Sequence, residues 1–254
     1  MTTDHQVKLD TVLERSNDAI IQVQEGIVTD ANPAWLELFG VVEGIVGIWR
    51  WDVTVTGFAN HAGTTAMSRR HDALVSAAKF IQMVNTVVRA TPGRQVGTVG
   101  HLEVSPNAPN VIPGKVVLSL ELRDLDAPKI KTLQERIAKE AESIGRADGT
   151  TFAFALATEH QPALSTPSVR AIIEKSAKAL GLSTLHLPSG AGHDAQSMAR
   201  LGPMGMIFIP SIGGISHSPR EYTDPGDLAA GIDVMRETLR VMAYQPTYPF
   251  EECQ

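Results

Sequence analysis

Apolar and polar residues alternate strictly from Trp49 to Thr56: Trp51, Val53 and Val55 share one face, and Arg50, Asp52, Thr54 and Thr56 the other. A period of two marks a half-buried strand. From Asp72 the period lengthens, with Leu74, Ala77, Ala78, Ile81, Val84 and Val88 at helical spacing until Pro92-Gly93 closes the run. Gln95–Val104 and Lys115–Arg123 read as two further strands, separated by the turn-rich Ser105-Pro106-Asn107-Ala108-Pro109-Asn110. Asp126 caps a second helix whose Ile130, Leu133, Ile137, Ala141 and Ile144 share a face, and Thr151–Thr158 supplies a last strand. The order β-α-β-β-α-β predicts a ferredoxin-like domain over residues 44–163, two helices covering one face of a four-stranded antiparallel sheet.

Residues 164–254 change to helices alternating with short apolar strands. Ser165 or Thr166 caps a helix with Pro167 in its first turn and Val169, Ile172, Ile173 and Leu180 inward, and Gly181 ends it. Leu185–Leu187 and Met206–Ile209 read as strands, Ala195–Leu201 as a helix, and Leu228, Ile232, Met235, Leu239 and Met242 mark a final amphipathic helix. Two strands are few for an α/β sheet, so this segment reads as the end of a larger α/β domain. Residues 1–43 fit neither pattern. Ile20–Val23 and Ile27–Thr29 suit a hairpin around Gln24-Glu25-Gly26, and Asn32–Gly40 a capped short helix; the string resembles the opening of a PAS sensor domain, without the strands that would complete its pocket.

Composition narrows the function classes. A chain of 254 residues, 43% hydrophobic and 20% charged, is an ordinary globular protein of one or two domains. Its net charge of -6 and scattered Lys and Arg argue against nucleic acid as a partner. The single cysteine, Cys253, permits neither an internal disulfide framework nor a thiolate metal site, which fits the cytoplasm. No apolar run approaches the ~20 residues of a membrane span, and Met1–Asp10 lacks an apolar leader region, so no export or membrane anchoring is expected.

Candidate chemistry lies in four strings. The run Met206-Ile207-Phe208-Ile209 leads into the glycine-rich loop Pro210–Pro219, whose His217 suits metal ligation. The others are Gly57-Phe58-Ala59-Asn60-His61-Ala62-Gly63-Thr64-Thr65-Ala66-Met67 with Arg70-His71-Asp72, Asn107-Ala108-Pro109-Asn110-Val111-Ile112-Pro113-Gly114, and Pro188-Ser189-Gly190-Ala191-Gly192-His193-Asp194-Ala195. The last also fits the dinucleotide pattern G-x-G-x-x-A, but it follows a meagre strand and position 214 is glycine rather than an acid, so nucleotide binding is set aside. Ser189 lacks the G-x-S-x-G elbow of a nucleophile. His5, His71, His101, His160 and His186 lack partners at ligand spacing and read as surface or interface residues.

In this order the four strings resemble the M20-type metal-dependent amidohydrolases, within them the N-carbamoyl-L-amino acid hydrolases and allantoate amidohydrolases, from about Gly44 to Ala243. The resemblance implies a ferredoxin-like dimerisation domain and the C-terminal part of an α/β metallohydrolase domain. It implies hydrolysis of a carbamoyl, ureido or amide C–N bond by hydroxide on a divalent ion, zinc or else manganese, cobalt or nickel. His217 is then the last metal ligand. His61 is a donor to the oxyanion, offered across a homodimer formed through residues 44–163; from the residue alone, a structural role is equally open. Arg123 grips the substrate carboxylate, against a surface ion pair with Asp124 or Asp126, and Asn110 is a substrate-binding amide, against a plain turn residue. Gly192 and His193 line a backbone pocket for substrate, with His193 or Asp194 orienting neighbouring groups. In the resembled family most metal ligands precede the ferredoxin-like insertion. Residues 1–43 hold none in such a motif, so the chain is expected to lack the N-terminal metal-binding half and to be inactive alone. The alternatives are a non-catalytic dimerisation module derived from such an enzyme, a related aminoacylase or peptidase, and a degenerate sensor fused to the module.

Overall fold

The computed structural model describes residues 21–24, 27–31 and 39–244, the first two stretches as backbone. Strands β1 (Ile21–Gln24) and β2 (Ile27–Ala31) pair antiparallel, the hairpin that the alternation predicts. Of the helix expected over 32–40, residues 32–38 lie outside the described residues and the rest is strand: β3 runs from Phe39 to Ile45. The chain divides into two compact units, Val46–Ala163 and a second unit drawn from Met1–Ile45 and Leu164–Gln254.

The Val46–Ala163 unit carries β4 (Gly47–Thr56), β5 (Asn60–His61), α1 (Ala73–Ala90), β6 (Val96–Thr98), β7 (Leu102–Ser105), β8 (Val111–Ile112), β9 (Lys115–Asp124), α2 (Ala127–Asp148) and β10 (Thr151–His160). Its main sheet has the order β10-β4-β9-β6, with β7 also on β9, and every pairing is antiparallel. This is the ferredoxin-like arrangement expected from the sequence. The second strand is broken: β6 pairs with Arg123, Leu122 and Glu121, and β7 with Leu118 to Lys115, across the gap at Val99-Gly100-His101. Trp51, Val53 and Val55 of β4 and Val116, Leu118, Leu120 and Leu122 of β9 form a core with Phe80 and Val84 of α1 and Ile130, Leu133, Ile137 and Ala141 of α2. Phe80 is fully buried, its ring 5.6 Å from that of Phe152 and 6.0 Å from that of Phe154. Helix α1 sits one residue round from the expected stripe: Ala73, Ser76, Ala77, Phe80, Val84, Val87 and Val88 face the sheet, while Leu74 and Ile81 are exposed.

Both helices start on the residues the sequence marks. Asp72 accepts from the backbone N–H of Leu74 (2.9 Å) and Val75 (3.2 Å), and Asp126 from that of Lys129 (3.1 Å). Gly149 ends α2 with φ +68°, a left-handed cap.

The second unit is built on β3. Strands β11 (Ala163–Leu164) and β12 (Thr184–Ser189) flank β3, and β13 (Ile207–Phe208) pairs with it too. The sheet therefore has four strands rather than the two expected, because residues 39–45 belong with residues 164–244 and not with the amino-terminal fragment. Strand β12 is parallel to β3, with Thr184 beside Phe39 and Ser189 beside Ile45. Strand β13 is antiparallel, with Ile207 beside Val41 and Phe208 beside Gly40. Val41 packs with Val169, Ile173 and Ala177 of α3 (Pro167–Ala179) and Val234 of α5 (Pro225–Ala243). Between them lies the single turn α4 (Ala195–Met198), shorter than the expected helix to Leu201.

Helix α5 turns a different face inward from the 4,3,4,3 stripe. Gly231, Val234 and Thr238 are buried, whereas Leu228, Ile232, Met235 and Leu239 are 48–59% exposed. A Cβ on Gly231 would stand 2.4 Å from Ile209 Cγ2, so the small-residue face is the one that can approach the sheet closely. Among the described residues, no helix is long and apolar enough to cross a membrane.

Candidate functional site

The expected site residues fall in both units. In the Val46–Ala163 unit, β5 and β8 form a two-stranded ribbon in which His61 faces Val111, and the Ala62 N–H donates to the Asn110 carbonyl (2.9 Å). Strand pairing thus brings the backbones of 61–62 and 110–111 together across some fifty residues of sequence. The His61 ring is fixed from below: Nδ1 accepts from the backbone N–H of Gly63 (3.0 Å) and Thr64 (3.2 Å). A ring nitrogen that accepts carries no proton, so neutral His61 bears its hydrogen on Nε2 and presents a donor. The loop that does this is pinned by a residue to which sequence reasoning gave no role. Arg70 donates to the carbonyls of Thr65 (3.1 Å) and Ala62 (2.6 Å). No periodicity signals such a staple, since it joins residues within one irregular loop.

Arg123 stands elsewhere on the same sheet. It lies near the end of β9, opposite Ile48 and Val96, eight residues beyond Lys115 and the ribbon. At about 3.4 Å per residue that is roughly 27 Å of strand. Its guanidinium donates to Glu121 Oε1 at 2.8 Å. Glu121 is thus one ion-pair partner of Arg123, while Asp124 takes Lys129 Nζ (2.9 Å) and Asp126 caps α2. Glu121 also accepts from Arg50, whose Nε is 3.1 Å from Oε2. Burial alone would raise the Glu121 carboxyl pKa, but hydrogen bonds and charge from Arg50 and Arg123 outweigh it and hold it below its ordinary value. A depression on this open face, between Arg50, Asp52, His101 and Glu121, contains neither His61 nor Asn110.

In the second unit, Gly192 and His193 lie on the exposed loop that leaves β12. Ser189, the last residue of that strand and 1% exposed, holds His193: its Oγ is 2.8 Å from His193 Nε2 and 3.2 Å from the Ala191 carbonyl. The His193 ring lies 6.0 Å from that of Phe208. His217 follows β13 and has φ +57°, a left-handed backbone uncommon outside glycine. Glu221 stabilises this turn by accepting from the His217 N–H (2.8 Å), and Ser216 Oγ meets His217 Nδ1 at 2.6 Å. Nε2 is then the nitrogen open to a ligand. The two loops depart from opposite ends of β3, because β13 is antiparallel: β12 ends beside Ile45 and β13 beside Gly40. His217 lies beyond the carboxyl end of its own strand, as the sequence has it.

A metal needs more than His217. A catalytic zinc takes about three protein ligands. Among the described residues, no group of three or more His, Cys, Asp or Glu side chains could hold a metal ion. The described residues do not by themselves fit a metal centre.

Comparison with known proteins gives a consistent answer. The model of Peptidase family M20/M25/M40 matches residues 16–241. Among curated proteins, the chain is 39% identical over 204 residues to the N-carbamoyl-L-amino acid amidohydrolase of Geobacillus stearothermophilus, covering 80% of this chain and 50% of that protein. It is 33% identical over 225 residues to the allantoate amidohydrolase of Escherichia coli, covering 89% of this chain and 53% of that one. Among solved structures, an amidase of the hydantoinase/carbamoylase family from Burkholderia multivorans superposes with a TM-score of 0.78 at 30% identity, over 84% of this chain and 52% of that one. The chain thus spans about half the length of the curated relatives it matches. The family match begins at residue 16 and so overlaps the stretch that resembles a PAS opening. With nearly its whole length matched in order and the fold in agreement, the chain belongs to Peptidase family M20/M25/M40.

Proposed function

We propose that this chain is part of a metal-dependent amidohydrolase that cleaves linear C–N bonds in N-carbamoyl-L-amino acids or allantoate, and that it is inactive on its own. One observation carries the reading: the backbone N–H groups of Gly63 and Thr64 lock the His61 imidazole as an Nε2–H donor, on a ribbon whose other strand follows Asn110. Such a donor suits the oxyanion that forms when a ureido or amide carbon is attacked. The Asn110 amide, at the end of the same ribbon, offers a donor and an acceptor for the substrate's polar groups. Arg123 supplies the planar, bidentate cation that a substrate carboxylate calls for, in exchange for part of its bond to Glu121. Gly192 belongs to a loop of small residues that lets substrate approach, and His193 orients neighbouring groups there.

A small ureide cannot span the roughly 27 Å of strand between the ribbon and Arg123. We therefore assign His61 and Asn110 to the site of a second copy, in a homodimer formed through residues 44–163. His217 is one ligand, through Nε2, of the divalent ion this family reading requires. Because one histidine does not retain a catalytic ion, turnover needs ligands beyond the described residues. The single cysteine, Cys253, accords with a cytoplasmic setting.

A fluorometric zinc titration and an N-carbamoyl-L-amino acid assay on the chain alone are expected to show neither stoichiometric tight binding nor turnover; both together would overturn its inactivity. Grafting the chain in place of the matching half of the Geobacillus relative is expected to restore hydrolysis. In that graft His61→Ala is expected to lower kcat by about 100-fold or more, the usual cost of one oxyanion donor. A folded, zinc-loaded graft without activity overturns the hydrolase reading. The second reading, a non-catalytic dimerisation module, draws on the closed core of the Val46–Ala163 unit; it would be favoured by a stable dimer in light scattering alongside an inactive graft.

A further inference from the structure

Ser189 is a buried hydroxyl to which the hydrolase reading gives no task. With 1% exposure it is closed to substrate and cannot serve as a nucleophile, although an imidazole stands 2.8 Å from its oxygen. Its surroundings suit a different role. A hydroxyl has one hydrogen and two lone pairs. Ser189 Oγ has two partners, the Ala191 carbonyl, which can only accept, and His193 Nε2, which can do either. Both contacts are satisfied at once in one arrangement only: Ser189 donates to Ala191, and His193 Nε2–H donates to Ser189. The opposite tautomer would have Ser189 donate to Nε2 and leave the Ala191 carbonyl without its hydrogen bond. Among the described residues, no hydrogen bond is made to His193 Nδ1.

We propose that Ser189 is a positioning residue, which holds His193 in the Nε2–H tautomer and leaves the Nδ1 lone pair to accept a hydrogen bond from an N–H of the bound ureide. A neutral imidazole with bare Nδ1 selects a donor, such as a carbamoyl or ureido N–H, and not a carboxylate, which Arg123 is better built to hold. The two histidines then play opposite parts. His61 is locked by backbone donors to offer an Nε2–H, whereas His193 spends its Nε2–H on Ser189 and offers a lone pair.

The substrate half of this inference rests on the ureide-hydrolase reading; the tautomer does not, and the test is made on the tautomer. Long-range proton–nitrogen NMR of the histidine rings of the whole chain, recorded at mildly alkaline pH where imidazole is neutral, distinguishes the two forms. The His193 signals are identified by their loss in His193→Gln. The expected result is His193 protonated at Nε2 and bare at Nδ1. In Ser189→Ala that preference is expected to fall by about fivefold or more, the worth of one net hydrogen bond. The ring signals of His186 and His217, in the same unit, are expected to stay in place, which separates loss of the hydroxyl from loss of the fold. A native His193 carrying its proton on Nδ1 overturns the proposal without any variant. So does a preference that survives Ser189→Ala. Neither outcome depends on turnover, so an inactive graft would count against the hydrolase reading and leave the role of Ser189 standing.

Discussion

Two guanidinium groups converge on Glu121, and the pH dependence of the fold should show it. The carboxyl pKa lies below its ordinary 4.5 in the folded chain, because the bonds from Arg50 and Arg123 outweigh the opposing effect of burial. The unfolded chain then binds more protons as pH falls below the ordinary value, so this contribution is full above that value and is lost as pH drops through the folded pKa. Glu121→Gln is expected to flatten the acid side of a thermal-unfolding series below about pH 4.5, with little change near neutrality beyond the loss of the ion pairs. A second residue-scale effect belongs to Gly149. Its φ is +68°, and a Cβ there would stand 2.0 Å from His71 Nδ1. Gly149→Ala is therefore expected to cost about 1–3 kcal/mol in denaturant unfolding, from backbone strain and displacement of the His71 ring together. At this scale the sequence was informative about identity and silent about partners. His61 could be named from its motif, but the amides of Gly63 and Thr64 that fix its tautomer, and the Arg70 staple behind them, follow from loop geometry that no spacing encodes.

Helices and strands with strong periodic signals form where the pattern places them, and the departures have particular causes. Helix α5 has two candidate faces. The Leu228, Ile232, Met235 and Leu239 stripe is the more hydrophobic, yet the Gly231, Val234 and Thr238 face lies inward because it lets the helix axis come close to Ile209. Periodicity ranks faces by hydrophobicity; packing selects by shape as well. Ile232→Lys with Leu239→Lys is accordingly expected to preserve the helical circular dichroism signal and the unfolding midpoint, while lowering self-association measured by light scattering. Strand β3 escaped notice for another reason. Phe39-Gly40-Val41-Val42-Glu43-Gly44-Ile45 is buried nearly throughout, so it does not alternate, and its two glycines read as breakers. The broken second strand at Val99-Gly100-His101 is likewise a matter of pairing with β9 rather than of local propensity.

For the molecule as a whole, the two units differ in how the chain builds them. Val46–Ala163 is one continuous segment, with its strands, helices and core complete within it. Excised, it is expected to fold alone, with a cooperative denaturant transition whose midpoint is the same by far-ultraviolet dichroism and by tryptophan fluorescence of Trp49 and Trp51. The other unit is assembled from two stretches separated by that segment, with β3 from one and β11, β12, α3, β13 and α5 from the other. Among the described residues its core is smaller, and its last helix leaves four large apolar side chains at the surface.

The sequence by itself determined the ferredoxin-like order, the helix caps at Asp72 and Asp126, the four motifs and, through them, the family. All of these are local: they rest on periodicity, on a capping side chain's reach of two or three residues, or on short strings. Only the tertiary structure decided that residues 39–45 complete the second sheet, that β13 runs against β3, that the backbones of 61–62 and 110–111 come together while Arg123 stands far along the strand, and that Ser189 holds His193. Each of these depends on pairing or packing, between segments distant in sequence or within loops that have no period, and so on which surfaces can approach closely in three dimensions.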